Sequence, residues 1–211
     1  MVNANSFECE YPGRIPRNES ERFEIAVGAI LTQNISWKNV VTALVNLKKN
    51  GLLSVKSIDR IKNARLASLI KSTGYYNQKA KKIKNFISWY RETGFDFSSV
   101  KNYDTRNLRS ELLLIKGIGP ETADSILLYA LKRKIFVIDA YTRRLFGRMG
   151  VLSGKETYDE VQHIFHELFR GKASDYNEYH ALIVAHGKDV CKKKPRCGDC
   201  CLEHLCSKIV D

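Results

Sequence analysis

No apolar run in this 211-residue chain approaches the length of a membrane span, and its first residues hold no apolar signal segment. A soluble protein of a reducing compartment is expected, cytoplasmic and without a membrane partner. Proline is scarce, at four residues, and 44% of the chain is hydrophobic, so disorder is excluded and either one large core or two modest ones can form. Strand-like alternation is almost missing. Ile135-Phe136-Val137-Ile138 is too short and isolated to build a sheet. Low-complexity linkers and internal repeats are also lacking, so any two lobes share a continuous helical scaffold. Acidic residues are in deficit, 23 against 35 lysines and arginines, giving a net charge of +12 and a pI near 9.4. That balance predicts attraction to a polyanion and leaves nucleic acid and acidic membrane surfaces both open.

What the chain has in quantity is helical periodicity. Phe23, Ala26, Val27, Ile30 and Leu31 fall on one helix face, and Val40, Val41, Leu44 and Leu47 repeat the pattern. Leu66, Leu69 and Ile70 form a shorter stripe; Ile83, Phe86, Ile87 and Tyr90 form another; Tyr158, Val161, Ile164, Phe165 and Leu168 form a third. The expected fold class is all-α.

Cysteine is concentrated at one end. Cys9 stands alone, whereas Cys191, Cys197, Cys200, Cys201 and Cys206 crowd the last stretch with Lys192-Lys193-Lys194 among them. Without a secretory context, this pattern reads as a metal centre rather than a disulfide framework. Cys191-x5-Cys197-x2-Cys200-x5-Cys206 suits an iron–sulfur cluster held by four thiolates, with tetrahedral zinc the alternative. Cys201 is an alternative to Cys200 as third ligand. The histidines form no metal constellation; His163 and His166 share a helix face near core residues and read as packing or surface groups.

The segment Leu113-Leu114-Ile115-Lys116-Gly117-Ile118-Gly119-Pro120-Glu121-Thr122-Ala123 predicts two short helices meeting at a Gly-Ile-Gly turn. Each glycine is able to take a positive φ, and Pro120 suits the first turn of the second helix. The backbone N–H groups of Ile118 and Gly119 are expected unpaired and aimed outward, where they would hold a phosphate of a nucleic-acid backbone. Further on, Asp139 follows an apolar stretch and precedes an amphipathic helix. It is a natural N-cap, and a carboxylate held by helix amides stays ionised.

With these residues in place, the chain resembles the helix-hairpin-helix DNA glycosylases of the endonuclease III superfamily. The likeness runs from about Phe23 to Cys206 and its landmarks arrive in order: Gly28-Ala29-Ile30-Leu31-Thr32-Gln33-Asn34, then Gly74-Tyr75-Tyr76-Asn77-Gln78-Lys79-Ala80, the hairpin, Asp139, and Ala185-His186-Gly187-Lys188 before the cysteines. The resemblance implies a two-lobed all-α fold with the lesion pocket in the cleft, a helical barrel over 23–132 and a second lobe from 1–22 with 133–211 that holds a [4Fe–4S] cluster. It implies a partner, double-stranded DNA containing a damaged base, bound by a monomer that associates with the nucleoid. Gln33 matches the residue that fills the space left by the flipped nucleotide, Tyr75 matches the wedge, and Lys116, Gly117, Ile118 and Gly119 match the DNA-contacting hairpin.

One departure bears on the chemistry. Bifunctional members carry a lysine two residues after the last hairpin glycine, which attacks the sugar; here that position is Glu121. A carboxylate forms no imine, so a monofunctional glycosylase is expected, with Asp139 stabilising an oxocarbenium-like sugar while water completes hydrolysis. Glu121 then lines the pocket or orders the water. Glu121 and the Trp37-Lys38-Asn39-Val40 run most resemble the endonuclease III-related 3-methyladenine glycosylases. Alternatives are excision of uracil, thymine opposite guanine or hypoxanthine, a non-catalytic DNA-binding protein, and a zinc-containing regulator. A second departure is the interval of five residues between Cys191 and Cys197, where the family usually has six.

Overall fold

The computed structural model describes residues 16–97 and 102–209. Cys9 and most of the expected 1–22 segment lie outside the described residues. Among the described residues every regular element is helical and no strand is present. Their order is α1 (Glu19–Leu31), α2 (Trp37–Lys49), α3 (Val55–Arg60), α4 (Asn63–Leu69), α5 (Tyr76–Glu92), α6 (Thr105–Leu114), α7 (Pro120–Ser125), α8 (Ala140–Arg148), α9 (Tyr158–Leu168) and α10 (Ala173–Asp189). No described helix is long and apolar enough to cross a membrane. The chain divides into two compact units, one formed by Ile15–Arg133 and the other containing Lys134–Asp211.

In the first unit, α1 begins where the Asn18 side chain accepts the Glu21 amide, with Glu19 and Glu21 in the turn where the helix dipole favours acids. Phe23, Ala26, Val27, Ile30 and Leu31 are all buried, as their spacing requires. In α2 the buried face is Val40, Ala43, Leu44 and Leu47; Val41 lies at its edge, because alanine supplies the contact that the larger residue was expected to make. Trp89 is half-buried and packs on the core, stacked on Phe86 at 5.6 Å and tilted against Phe95 at 5.0 Å. The helices α6 and α7 are pinned to each other by Arg109, whose Nε and Nη2 donate to Asp124 at 2.7 and 3.1 Å. Asp124 is fully buried, so removing its partner would strand a charge at a penalty of about 3–5 kcal/mol.

In the second unit the apolar Ile135–Ile138 stretch is buried without regular secondary structure, and no strand lies beside it among the described residues. Side chains of α9 satisfy its backbone instead. The Phe136 amide donates to His166 Nε2 at 3.0 Å, Gln162 Nε2 donates to the Phe136 carbonyl at 2.6 Å, and the Ile138 amide donates to the Tyr158 hydroxyl at 3.2 Å. His166 therefore has a structural task and His163 is exposed. Phe136 stacks on Phe165 at 4.2 Å, with Tyr176 edge-on at 5.7 Å. Leu168, expected on the buried stripe of α9, is 78% exposed, because the helix ends there and the chain turns away at Phe169.

Candidate functional site

The hairpin connecting α6 to α7 is a tight turn. The Ile118 amide donates to the Ile115 carbonyl at 2.9 Å, and Gly117, third of the four turn residues, has φ +99°. A type II turn demands that conformation, and glycine meets it without strain. A Cβ at Gly117 would also come within 2.5 Å of the Lys82 side chain. Two expectations are corrected here. The Ile118 N–H is spent closing the turn while its side chain is buried, and Gly119 is extended, with φ −100° and ψ 179°, so it needs no left-handed freedom. A Cβ at Gly119 would meet nothing within 4 Å. The amides of Gly117 and Gly119 make no hydrogen bond among the described residues. Pro120 occupies the first turn of α7, as expected.

Gln33, in the turn after α1, is fastened to this hairpin. Its Nε2 donates to the Gly117 carbonyl at 3.1 Å and to Thr122 Oγ1 at 2.9 Å, and its Oε1 accepts from Lys82 Nζ. Tyr75 lies in a turn in which Gly74 has φ +60° and Tyr75 itself φ +43°. A tyrosine in the left-handed region costs roughly 1–2 kcal/mol, and here it leaves the ring 72% exposed instead of packed in the core.

The two turns share an anchor that sequence reasoning missed. Lys79 is buried, and its Nζ donates to the carbonyls of Leu31 at 2.9 Å and Thr73 at 2.6 Å, each two residues before Gln33 and Tyr75 respectively. Burial, then the charge of Lys82, lowers the Lys79 pKa to about 8. Between that value and the ordinary 10.5 the unfolded chain holds a proton that the folded one has released. The stability contributed at this site therefore rises with pH across that window. Urea denaturation of wild type and Lys79→Met should show the difference in unfolding free energy growing in favour of wild type from about pH 8 to about pH 10. A constant difference would count against the buried amine.

Beside the hairpin, Lys81, Lys82, Lys84 and Lys116 border an open cavity of ≈ 730 Å³ with the carboxamides of Gln78 and Asn85 and no acidic residue. Lys84 is engaged with the Ile58 and Asp59 carbonyls and Lys82 with Gln33, whereas Lys81 and Lys116 are exposed. The signal for this patch was present in the Lys79-Ala80-Lys81-Lys82-Ile83-Lys84 run. Glu121 is exposed in the first turn of α7, a position the helix dipole favours for a carboxylate.

In the second unit Asp139 is the N-cap of α8. Its Oδ1 accepts from the Thr142 amide at 2.8 Å and from Thr142 Oγ1 at 2.9 Å, and its Oδ2 lies 3.5 Å from His180 Nε2. The side chains of Asp139 and His180 are 13% and 8% exposed. Burial alone would raise the Asp139 pKa; the hydrogen bond and charge of His180 and the Thr142 bonds outweigh it, and the net shift is downward. Asp139 is thus ionised at neutral pH. His180 was not found in the sequence, because a lone histidine within a helix carries no motif.

The cysteines line a second cavity in this unit. Cys191, Cys197, Cys200 and Cys206 all border it, with Arg148 and His186, while Cys201 is exposed and outside its lining. No disulfide links them. From Lys192 to Ile209 no residue is buried, and the half-buried ones are Pro195, Cys197, Cys200, Leu202 and Cys206. The loop has no apolar core to hold it. Protein contacts come from α8 and α10: Arg144 donates to the Cys191 and Gly187 carbonyls, both at 2.9 Å, Arg148 to those of Lys192 and Lys193 at 2.5 and 2.9 Å, Arg196 to the Asp189 carbonyl at 2.7 Å, and Cys200 Sγ lies 3.5 Å from His186 Nε2. Arg148 Nη1 is also 3.5 Å from Cys191 Sγ. Among the described residues no three His, Cys, Asp or Glu side chains converge closely enough to hold a single metal ion.

The helical hairpin, the capped aspartate and the cysteine loop together define a helix-hairpin-helix DNA-repair fold. The profile of the HhH-GPD superfamily base excision DNA repair proteins matches residues 27–171, and the chain belongs to that family. It is 48% identical over 187 residues to a Methanocaldococcus jannaschii protein provisionally described as a DNA repair glycosylase, covering 88% of this chain and 85% of that one. The H. pylori 3-methyladenine DNA glycosylase bound to 1,N6-ethenoadenine is similar at a TM-score of 0.71 and 30% identity, over 84% of this chain and 88% of that chain. A non-covalent endonuclease III–DNA complex shares the fold at a TM-score of 0.76 and 20% identity, over 97% of this chain and 88% of that one.

Proposed function

We propose that this protein is a monofunctional DNA glycosylase that hydrolyses the N-glycosidic bond of an alkylated purine, such as 3-methyladenine, in double-stranded DNA. The observation that carries the reading is Asp139, a nearly buried carboxylate held ionised by Thr142 and His180 in a chain whose hairpin has Glu121 where a nicking enzyme has lysine. The similarity to the 3-methyladenine glycosylase supports the substrate class.

The partner follows from charge and backbone geometry. The amides of Gly117 and Gly119, the lysine-bordered cavity and the dipole at the start of α7 suit phosphates, and the open space at Gly119 lets a phosphate approach the main chain. Tyr75 is the wedge that stacks on the bases left by the flipped nucleotide, and Gln33 enters the vacated space by exchanging its hairpin bonds for base contacts. With the nucleotide everted, the bond to the base breaks and its electron pair leaves with the base. An alkylated purine is already cationic, so it departs without a strong general acid. Asp139 stabilises the sugar cation, water adds at C1′, and the water's proton passes to the carboxylate or to solvent. Glu121 contacts the everted base or orders that water.

Cys191, Cys197, Cys200 and Cys206 fit a [4Fe–4S] cluster. The four thiols border one cavity in a loop without an apolar core, and a Cys-x2-Cys clip with one further thiol on either side suits four thiolates around a cluster. When bound, the cluster would cross-link the loop through these four thiolates.

The test is incubation with duplexes carrying single lesions (3-methyladenine, hypoxanthine, uracil, or thymine opposite guanine), scored for free base and, before any alkali, for strand cleavage. Release from the 3-methyladenine duplex with an intact strand is expected. Prompt nicking with a borohydride-trappable adduct would overturn the monofunctional reading, and release of the deaminated or mismatched bases alone would overturn the substrate class.

A further inference from the structure

Among the buried polar side chains of the second unit to which the proposed chemistry gives no role is His180. His180 sits midway along α10, its ring edge-on to Phe136 at 6.0 Å, and its Nε2 faces the Asp139 oxygen that Thr142 does not bind. We propose that His180 is a positioning residue that fixes the plane of the Asp139 carboxylate and keeps it ionised on the acid side of neutrality. This rests on the reading of Asp139 as the group that faces the sugar.

The need for such a residue follows from the torsional freedom of aspartate. Its terminal torsion is broad, and both Thr142 bonds go to Oδ1, so the N-cap fixes one oxygen and leaves the other to swing about it. An electrostatic stabiliser works only if its charge is already aimed where the cation develops. A partner on a different helix removes that freedom, and α10 packs directly against α8. The separation of 3.5 Å is long for a hydrogen bond, as is common for catalytic pairs before substrate binds. The groups around Asp139 come from three elements. Thr142 lies on its own helix, His180 on α10, and Tyr158 on α9, where its hydroxyl accepts the adjacent Ile138 amide. Of these, the histidine is the one whose ring can both donate an N–H and carry positive charge beside the carboxylate. The downward shift of the Asp139 pKa, with His180 the leading cause on the lowering side, agrees with this geometry.

The test reads Asp139 directly. Carboxyl 13C NMR titration of the free protein is compared among wild type, His180→Leu and His180→Gln. The Asp139 midpoint should move up by about one pH unit in His180→Leu. It should move less in His180→Gln, which keeps an N–H donor but has no charge to gain. In single-turnover excision from a 3-methyladenine duplex, the acid limb of the rate profile should follow the same order. The rate should fall about tenfold in His180→Leu with duplex affinity unchanged, and the glutamine should restore part of it. An Asp139 midpoint that stays in place in the glutamine variant overturns the proposal, whether or not the leucine variant folds. Should Asp139→Asn excise as wild type does, the assignment of Asp139 fails. An inactive Asp139→Asn beside an unmoved midpoint in the His180 variants removes this inference and leaves that assignment standing.

Discussion

Asp139→Asn should abolish base excision while leaving the fold and the grip on duplex DNA intact. Asparagine is as good an N-cap as aspartate, so its amide oxygen still accepts the Thr142 bonds that start α8, and the buried Ile135–Ile138 stretch keeps its partners on α9. What vanishes is the charge. A fixed charge or dipole aimed at a developing charge is worth about 10²–10³ in rate, and an aspartate facing a cation in a nearly dry site belongs at the upper end, so a loss of roughly 10³-fold in single-turnover excision is expected. Duplex affinity should stay within about twofold, because phosphate contacts are assigned to the hairpin and the lysines of α5 rather than to this side chain. The pH profile supplies a second check. The folded-state pKa of Asp139 is depressed, so the ionised form survives at pH values below the ordinary carboxylate range, and wild-type activity should persist there until Asp139 protonates. Excision by the asparagine variant within tenfold of wild type would remove Asp139 from the chemistry; lost binding would show instead that the substitution had disturbed the fold.

How far the sequence made all this visible differs from element to element. The all-helical class and the buried face of α1 were legible because a period of 3.6 reports directly on which residues share a face. The face of α2 was misplaced by one residue, since hydrophobicity alone cannot say whether Ala43 or Val41 faces the neighbour. Asp139 as an N-cap was legible because capping is local, decided within three residues. The interior of the hairpin was read less well: two glycines were treated alike, although one supplies a positive φ and the other only an open approach to its backbone. Partners distant in sequence were out of reach. Lys79 meets the Leu31 carbonyl 48 residues away, and Gln33 meets Thr122 across 89, and neither bond has any signature in the spacing of residue types. The cysteine spacing nominated candidate thiols, but that Cys200 borders the cavity and Cys201 does not depends on which way each side chain points.

That separation gives the other large expected effect. Cys200→Ala should remove the visible absorbance of the purified protein and collapse the C-terminal loop, whereas Cys201→Ala should leave both unchanged. The reasoning is mechanical as well as chemical. Between Lys192 and Ile209 the chain makes only two short 3₁₀ turns, Cys197–Asp199 and Glu203–Leu205, and buries no residue, so hydrophobic packing cannot hold it. The arginines of α8 secure its beginning, Arg196 bonds the Asp189 and Val190 carbonyls, and the Ile209 amide reaches the Arg148 carbonyl near its end, so the proposed thiolate cross-link would hold what lies between. A cross-link at that place restrains a long, coreless segment, and its removal exposes the cavity wall formed by Leu145, Met149 and Val190. A loss of about 4 kcal/mol is expected, seen as a fall in Tm of roughly 10 °C for a chain of this size. Iron and acid-labile sulfide should be present in equal amounts in wild type and Cys201→Ala, and absent from Cys200→Ala. Stoichiometric zinc in their place would replace the cluster with a tetrahedral site, and equal sensitivity of the two alanine variants would mean that the exposed thiol turns inward to share the third position.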